Sequence, residues 1–264
     1  MSGRSDPIGV FDSGVGGLSV LREIRRALPA EDLLYVADTA NAPYGDRDAE
    51  FIRERSLAIV ARLMEASVKA VVVACNTATG LAVDALRERY ALPIVAVEPA
   101  VKPAASQTRS GVIGVIATTQ TLASARFTRL VDTHASGINV LLQACPGLVE
   151  QVESGDLTGP ETRAMVEQYV RPLVDQGADA IVLGCTHYPF LRSVIEDVAG
   201  PSVTIIDPAV AVAREVRRRL EIAGLLAEST HHGTERAWTT GPVERTAPVV
   251  DALWGSHVDV SSIR

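Results

Sequence analysis

The chain has 264 residues, 47% of them apolar and 22% charged, with a formal net charge of −7. This supplies enough apolar surface for one large domain or two small ones. It excludes a basic nucleic-acid footprint, because the triplet Arg217-Arg218-Arg219 lies in a helical pattern that a solvated face explains, and no apolar run reaches the roughly 18–20 residues of a membrane span.

Residues 8–11 predict a short strand, and Asp12-Ser-Gly-Val-Gly-Gly17 the turn after it. A helix follows, with Leu21, Ile24 and Leu28 at i, i+3 and i+7 and Pro29 past its end. Residues 33–37 form a second strand ending at Asp38, before the polar loop 39–45, the kind of segment that carries function. A helix over about 48–66 carries the stripe Ile52, Ile59, Val60, Leu63 and Met64. The run Ala70-Val-Val-Val-Ala74 reads as a buried strand that stops at Cys75, followed by a helix over about 77–90 and a strand at 93–97.

The alternation then repeats. Strands are predicted at about 112–117 and 138–142 with a helical stretch between them. A long helix carrying Met165, Val166, Tyr169, Val170, Leu173 and Val174 precedes the run 180–184, which stops at Cys185. A helix near 189–198, a strand at 203–206, a helix after 209, a strand at 237–240 and a last helix and strand complete the pattern. Strand–helix alternation predicts an α/β protein with doubly wound, mostly parallel sheets.

Three pieces recur in order. Ile8-Gly-Val-Phe-Asp12-Ser13 matches Ile113-Gly-Val-Ile-Ala-Thr118, Cys75 matches Cys185, and Glu98-Pro-Ala-Val101 matches Asp207-Pro-Ala-Val210, at offsets of 105 to 110 residues. A repeat of that length is domain-sized. Two pseudo-symmetric halves are expected, residues 1–98 with 209–264 and residues 99–208, with the site in the cleft between them and one cysteine from each.

Cysteine is scarce and odd in number, at positions 75, 145 and 185, so a reducing compartment fits. The start Met1-Ser-Gly-Arg-Ser-Asp-Pro7 has no apolar signal region, and cytoplasmic residence is expected. Cys185 and His187 could supply two zinc ligands, but no second cluster completes a tetrahedral set, so no metal is expected. Cys145 reads as inert packing. Cys75 and Cys185 each end a strand and precede a predicted helix, whose N-terminus would lower the thiol pKa.

The glycine turn after Asp12 suggests anion binding at a helix start. A dinucleotide fingerprint would need glycine where Ser19 stands, and Asp12 would repel a pyrophosphate, so a small zwitterion fits better. A thiol hydrolase using Cys185 and His187 would leave the matching Cys75 unexplained. Two equivalent cysteines suit a reaction with equivalent opposite faces, which is racemisation: one thiolate takes a Cα proton and the other thiol returns one. Pyridoxal phosphate would need a Schiff-base lysine, but Lys69 lies before its strand and Lys102 beyond the turn of another.

The motifs Asp12-Ser-Gly-Val-Gly-Gly-Leu18, Pro43-Tyr-Gly45, Ala74-Cys-Asn-Thr-Ala-Thr79 and Gly184-Cys-Thr-His-Tyr-Pro189 together resemble those of bacterial glutamate racemases, with Thr239-Thr-Gly241 also similar. The resemblance implies cofactor-independent interconversion of L- and D-glutamate, supplying D-glutamate for peptidoglycan, by a homodimer. It makes Cys75 and Cys185 the proton donor/acceptors, with Asp12, Ser13, Tyr44, Gly45, Asn76, Thr77, Thr186 and His187 holding substrate. Asp38 and Glu153 correspond to acidic residues kept near the site, although Glu150 stands where the family usually has proline. An aspartate racemase and a non-catalytic glutamate-binding protein are the alternatives.

Overall fold

The computed structural model describes residues 3–228, 230 and 232–263. Its elements run β1 (Ile8–Asp12), α1 (Leu18–Ala27), β2 (Leu33–Ala37), α2 (Ala49–Glu65), β3 (Ala70–Val73), α3 (Asn76–Arg89) and β4 (Ile94–Ala96). Next come α4 (Val101–Gln107), β5 (Val112–Ala117), α5 (Thr119–Ala123), α6 (Ala125–His134), β6 (Asn139–Ala144), α7 (Leu148–Glu153), α8 (Pro160–Asp175), β7 (Ala180–Leu183), α9 (Arg192–Ala199) and β8 (Thr204–Ile206). The last are α10 (Ala209–Ala223), β9 (Glu235–Thr239), α11 (Val243–Trp254) and β10 (Asp259–Ser262).

Among the described residues these strands form two sheets, ordered β10-β9-β2-β1-β3-β4 and β6-β5-β7-β8, with every pairing parallel. The α/β class and the parallel sheets are therefore as the alternation predicts. The repeat persists at the level of register. Ile8 pairs with Ala70 in the first sheet, and their counterparts Ile113 and Ala180 pair in the second. Both cysteines consequently leave equivalent strand ends.

Physical reasons for the elements are local. β1, β2, β3 and β7 are buried along their whole length, which is why β2, β3 and β7 are unbroken apolar runs rather than alternating ones, and β1 is apolar up to its last residue, Asp12. Each buried Val or Ile in them contributes about 1.5–3 kcal/mol. Asp48 caps α2 by accepting from the Phe51 N–H, and Ser124 caps α6 by accepting from the Phe127 N–H. α10 packs on α1, and β9 adds beside β2, so the chain after the second sheet returns to the first. The halves meet along α3, whose Gly80 lies so close to Ser124 that a Cβ would stand 3.0 Å from its side chain.

One local expectation fails. No α-helix begins directly after Cys185; Thr186 and His187 lead into a tight 3-10 turn at Tyr188–Leu191, and α9 starts only at Arg192. Pro189 has no N–H to donate in that turn. The short helices α4 and α7 carry too few turns to leave a periodic signal.

Candidate active site

The turn after β1 is organised by its own aspartate. The Asp12 carboxylate accepts the Ser13 N–H and the Gly17 N–H, both at 2.7 Å, and so holds the glycine-rich loop open toward the second half. Cys75 is the N-cap of α3, with Sγ accepting from the Ala78 N–H at 3.5 Å and lying 3.8 Å from Ser13 Oγ. Cys185 follows Gly184, where a Cβ would stand 2.8 Å from Ala117 Cβ and 2.9 Å from the Ile116 carbonyl oxygen, so the strand end tolerates only glycine. Ser19 Oγ donates to the Thr186 carbonyl at 2.8 Å and ties the two turns together.

A small cavity lies between them. It is lined by Asp12, Ser13, Tyr44, Gly45, Cys75, Asn76, Thr77, Cys185, Thr186 and His187, together with Pro43, Thr118, Val149 and Gly184. It is narrow and far below the several hundred Å³ that a dinucleotide would need. Asn76 is buried with neither side-chain amide atom paired, a rare condition for a buried polar group and one suited to a ligand.

Asp38 and Glu153 stand behind this lining. Asp38 accepts from Tyr44 OH at 2.6 Å, Arg55 at 2.8 and 3.1 Å, Asn41 at 2.9 Å and Thr240 at 2.8 Å. It fixes the loop that presents Tyr44 and Gly45. Glu153, at the end of α7, accepts the Val15 N–H at 2.7 Å and lies 2.7 Å from His187 Nε2. His187 Nδ1 is 3.6 Å from Cys185 Sγ. Gly14 and Gly16 make room for this pair, since a Cβ at either would fall 1.8 Å from Glu153 Oε1 or 2.2 Å from His187 Nδ1.

Thr118 and Val149 were not foreseen. Thr118 had a signal, because the repeat pairs it with Ser13; its hydroxyl lies 2.9 Å from that of Thr77 across the halves. Val149 sits on α7 and had none.

The electrostatics are asymmetric. Burial, and then the charge of Asp12, pushes the Cys75 thiol well above its ordinary range. This corrects the expectation from the helix N-terminus: one N–H bond to sulfur does not offset desolvation beside a carboxylate. Burial also raises the Asp12 carboxyl, against the pull of His187. Burial alone would lower His187, but its bonds to Cys185 and Glu153 carry the imidazole well above its usual value. Cys75 thus stands as a protonated thiol, and Cys185 faces a proton-holding imidazole. Among the described residues no group of three or more His, Cys, Asp or Glu side chains is arranged to hold a metal ion.

A model of the Asp/Glu/hydantoin racemase family matches residues 8–216. A glutamate racemase of Pseudomonas paraeruginosa is 52% identical over 264 residues, covering 100% of this chain and 99% of the relative. A crystal structure of a glutamate racemase isoform from Bacillus anthracis superimposes with a TM-score of 0.89 at 35% identity, covering 99% of this chain and 98% of that one. The Escherichia coli glutamate racemase, solved with L-glutamate and the activator UDP-MurNAc-ala, gives a TM-score of 0.85 at 31% identity and 97% coverage of each chain.

Proposed function

The chain belongs to the Asp/Glu/hydantoin racemase family and is an isomerase, and we propose that it interconverts L- and D-glutamate without a cofactor, with Cys75 and Cys185 as the two acid–base groups. The observation that carries this reading is that the two cysteines leave equivalent strand ends of the two sheets and line one small cavity. We assign the halves to residues 1–98 with 209–264 and to residues 99–208.

From L-glutamate, the Cys185 thiolate takes the Cα proton and leaves the electron pair on Cα, delocalised into the carboxylate. The Cys75 thiol then delivers its proton to the opposite face. Cys185 ends as thiol and Cys75 as thiolate, and D-glutamate runs the same path backward. The raised imidazole beside Cys185 and the raised thiol at Cys75 support that starting protonation. Asp12 receives the substrate ammonium. Ser13, Asn76, Thr77, Thr186 and the Tyr44–Gly45 backbone bind the carboxylates, a role supported by the unpaired Asn76 amide.

Neither lysine lines the cavity: Lys69 is buried in a pair with Glu31 at the amino end of β3, and Lys102 is exposed on α4. This supports a route without a Schiff base. The product serves peptidoglycan synthesis, and the enzyme works as a cytoplasmic homodimer; among the described residues no helix is long and apolar enough to cross a membrane. Chiral chromatography of purified protein given L-glutamate or L-aspartate, with no added cofactor, tests the substrate. D-glutamate should accumulate to an equal mixture. Turnover of aspartate alone would overturn the assignment.

A further inference from the structure

Tyr35 lies in the middle of β2, fully buried, and pairs in register with Val10 and Ala237. Its hydroxyl donates to the Gly14 carbonyl at 2.6 Å. That carbonyl belongs to the same peptide unit as the Val15 N–H, which donates to Glu153 Oε1 at 2.7 Å. The same carboxylate oxygen meets His187 Nε2 at 2.7 Å, and His187 Nδ1 faces Cys185. We propose that Tyr35 is a positioning residue for Cys185, acting through the Gly14–Val15 peptide, Glu153 and His187; the inference rests on the reading of Cys185 as an acid–base group.

The local sequence explains why such an anchor is needed. The turn Gly14-Val-Gly-Gly17 has glycines where Glu153 and His187 press against it, so side-chain sterics do little to hold the Gly14–Val15 peptide plane. A buried carbonyl that accepts a hydroxyl proton also polarises its own N–H, which strengthens the bond to the carboxylate. Burial, then the charges of Asp12, Glu153 and Cys75, hold the Tyr35 phenol well above its ordinary range, so it stays a donor. With Glu153 accepting the Nε2 proton, Nδ1 is left to take the proton of Cys185. The core of the first half thereby orients the imidazole that faces the cysteine in the second.

Tyr35→Phe removes one oxygen and preserves the packing. Two readouts apply to wild type, Tyr35→Phe, Glu153→Gln and the double variant. The first is the pH titration of the His187 ring by ¹⁵N NMR without substrate, a group faced by Cys185, Glu153 and Asp12. Its midpoint should fall in Tyr35→Phe, by about one pH unit, in the same direction as in Glu153→Gln, with little further change in the double variant. An unchanged His187 titration in Tyr35→Phe overturns the proposal whether or not glutamate is the substrate. The second is racemisation: kcat should fall about tenfold with KM within twofold, and much less on the Glu153→Gln background. Equal losses on both backgrounds also overturn it. A wild type with normal His187 coupling and no racemisation would instead sink the glutamate reading alone.

Discussion

At the residue scale the two halves have kept their cysteines and changed what stands beside them. The counterpart of Asp12 is Ala117, and the counterpart of His187 is Thr77. Cys75 therefore meets a carboxylate and Cys185 an imidazole, which is how a repeated fold places a thiol and a proton-holding partner on two sides of one cavity. Glycines in the first turn are spacers for that arrangement. Gly14→Ala would put a Cβ 1.8 Å from Glu153 Oε1, closer than any relaxed contact. It should displace Glu153 and lower kcat to within about threefold of Glu153→Gln, at a cost of about 1–3 kcal/mol from overpacking. Steady-state kinetics beside thermal melts check both parts. The cysteines were legible in the sequence because each ends an apolar run. The raised thiol at Cys75 was not, because desolvation depends on neighbours distant in sequence.

Elements matter mainly for how they present loops. The segment after β2 is held by Asp38, which joins α2 through Arg55, the loop through Tyr44 and Asn41, and the turn just after β9 through Thr240. Burial alone would push the Asp38 carboxyl up, but these donors, Arg55 first, hold it below its ordinary value. A lowered carboxyl stabilises the fold above the unfolded pKa of about 3.9, and that contribution is lost as the pH falls through the lower folded value. Asp38→Asn should cost about 2 kcal/mol at neutral pH and raise KM as Tyr44 loosens. The difference in stability from wild type should shrink below about pH 4, as read by chemical denaturation across pH. Asp38 was visible in the sequence as an acidic residue closing a strand. Its role as a strut behind Tyr44 was not, since Arg55 and Thr240 come from elements whose pairing no local pattern announces.

At the scale of the whole molecule, the described residues form two parallel sheets joined so that their carboxyl ends share one cavity, and the internal repeat made that architecture readable. The contacts across the halves were not readable: Val15 and Glu153 are 138 residues apart, and α7, which carries Glu153, is too short for periodicity. Far from the cavity, Lys69 and Glu31 form a pair at 2.5 Å, with exposures of 1% and 2%. It ties the start of β3 to the segment before β2 and, through Glu31, to the Ala227 N–H. Lys69→Met should cost about 3–5 kcal/mol by stranding Glu31, lowering Tm by about 10 °C with kcat at 25 °C unchanged, and adding Glu31→Met should recover most of the loss. Melting curves of the single and double variants decide this.

Two-base racemisation itself is tested most directly by Cα-proton exchange in heavy water, followed by NMR and chiral chromatography, for wild type, Cys75→Ser and Cys185→Ser. Wild type should incorporate deuterium with inversion from either enantiomer. Because enantiomers have equal free energy, each variant should lose inversion equally in both directions, by about a thousandfold or more. Residual exchange without inversion should be confined to L-glutamate in Cys75→Ser and to D-glutamate in Cys185→Ser. Inversion within about tenfold of wild type in either variant would contradict a mechanism that needs both thiols.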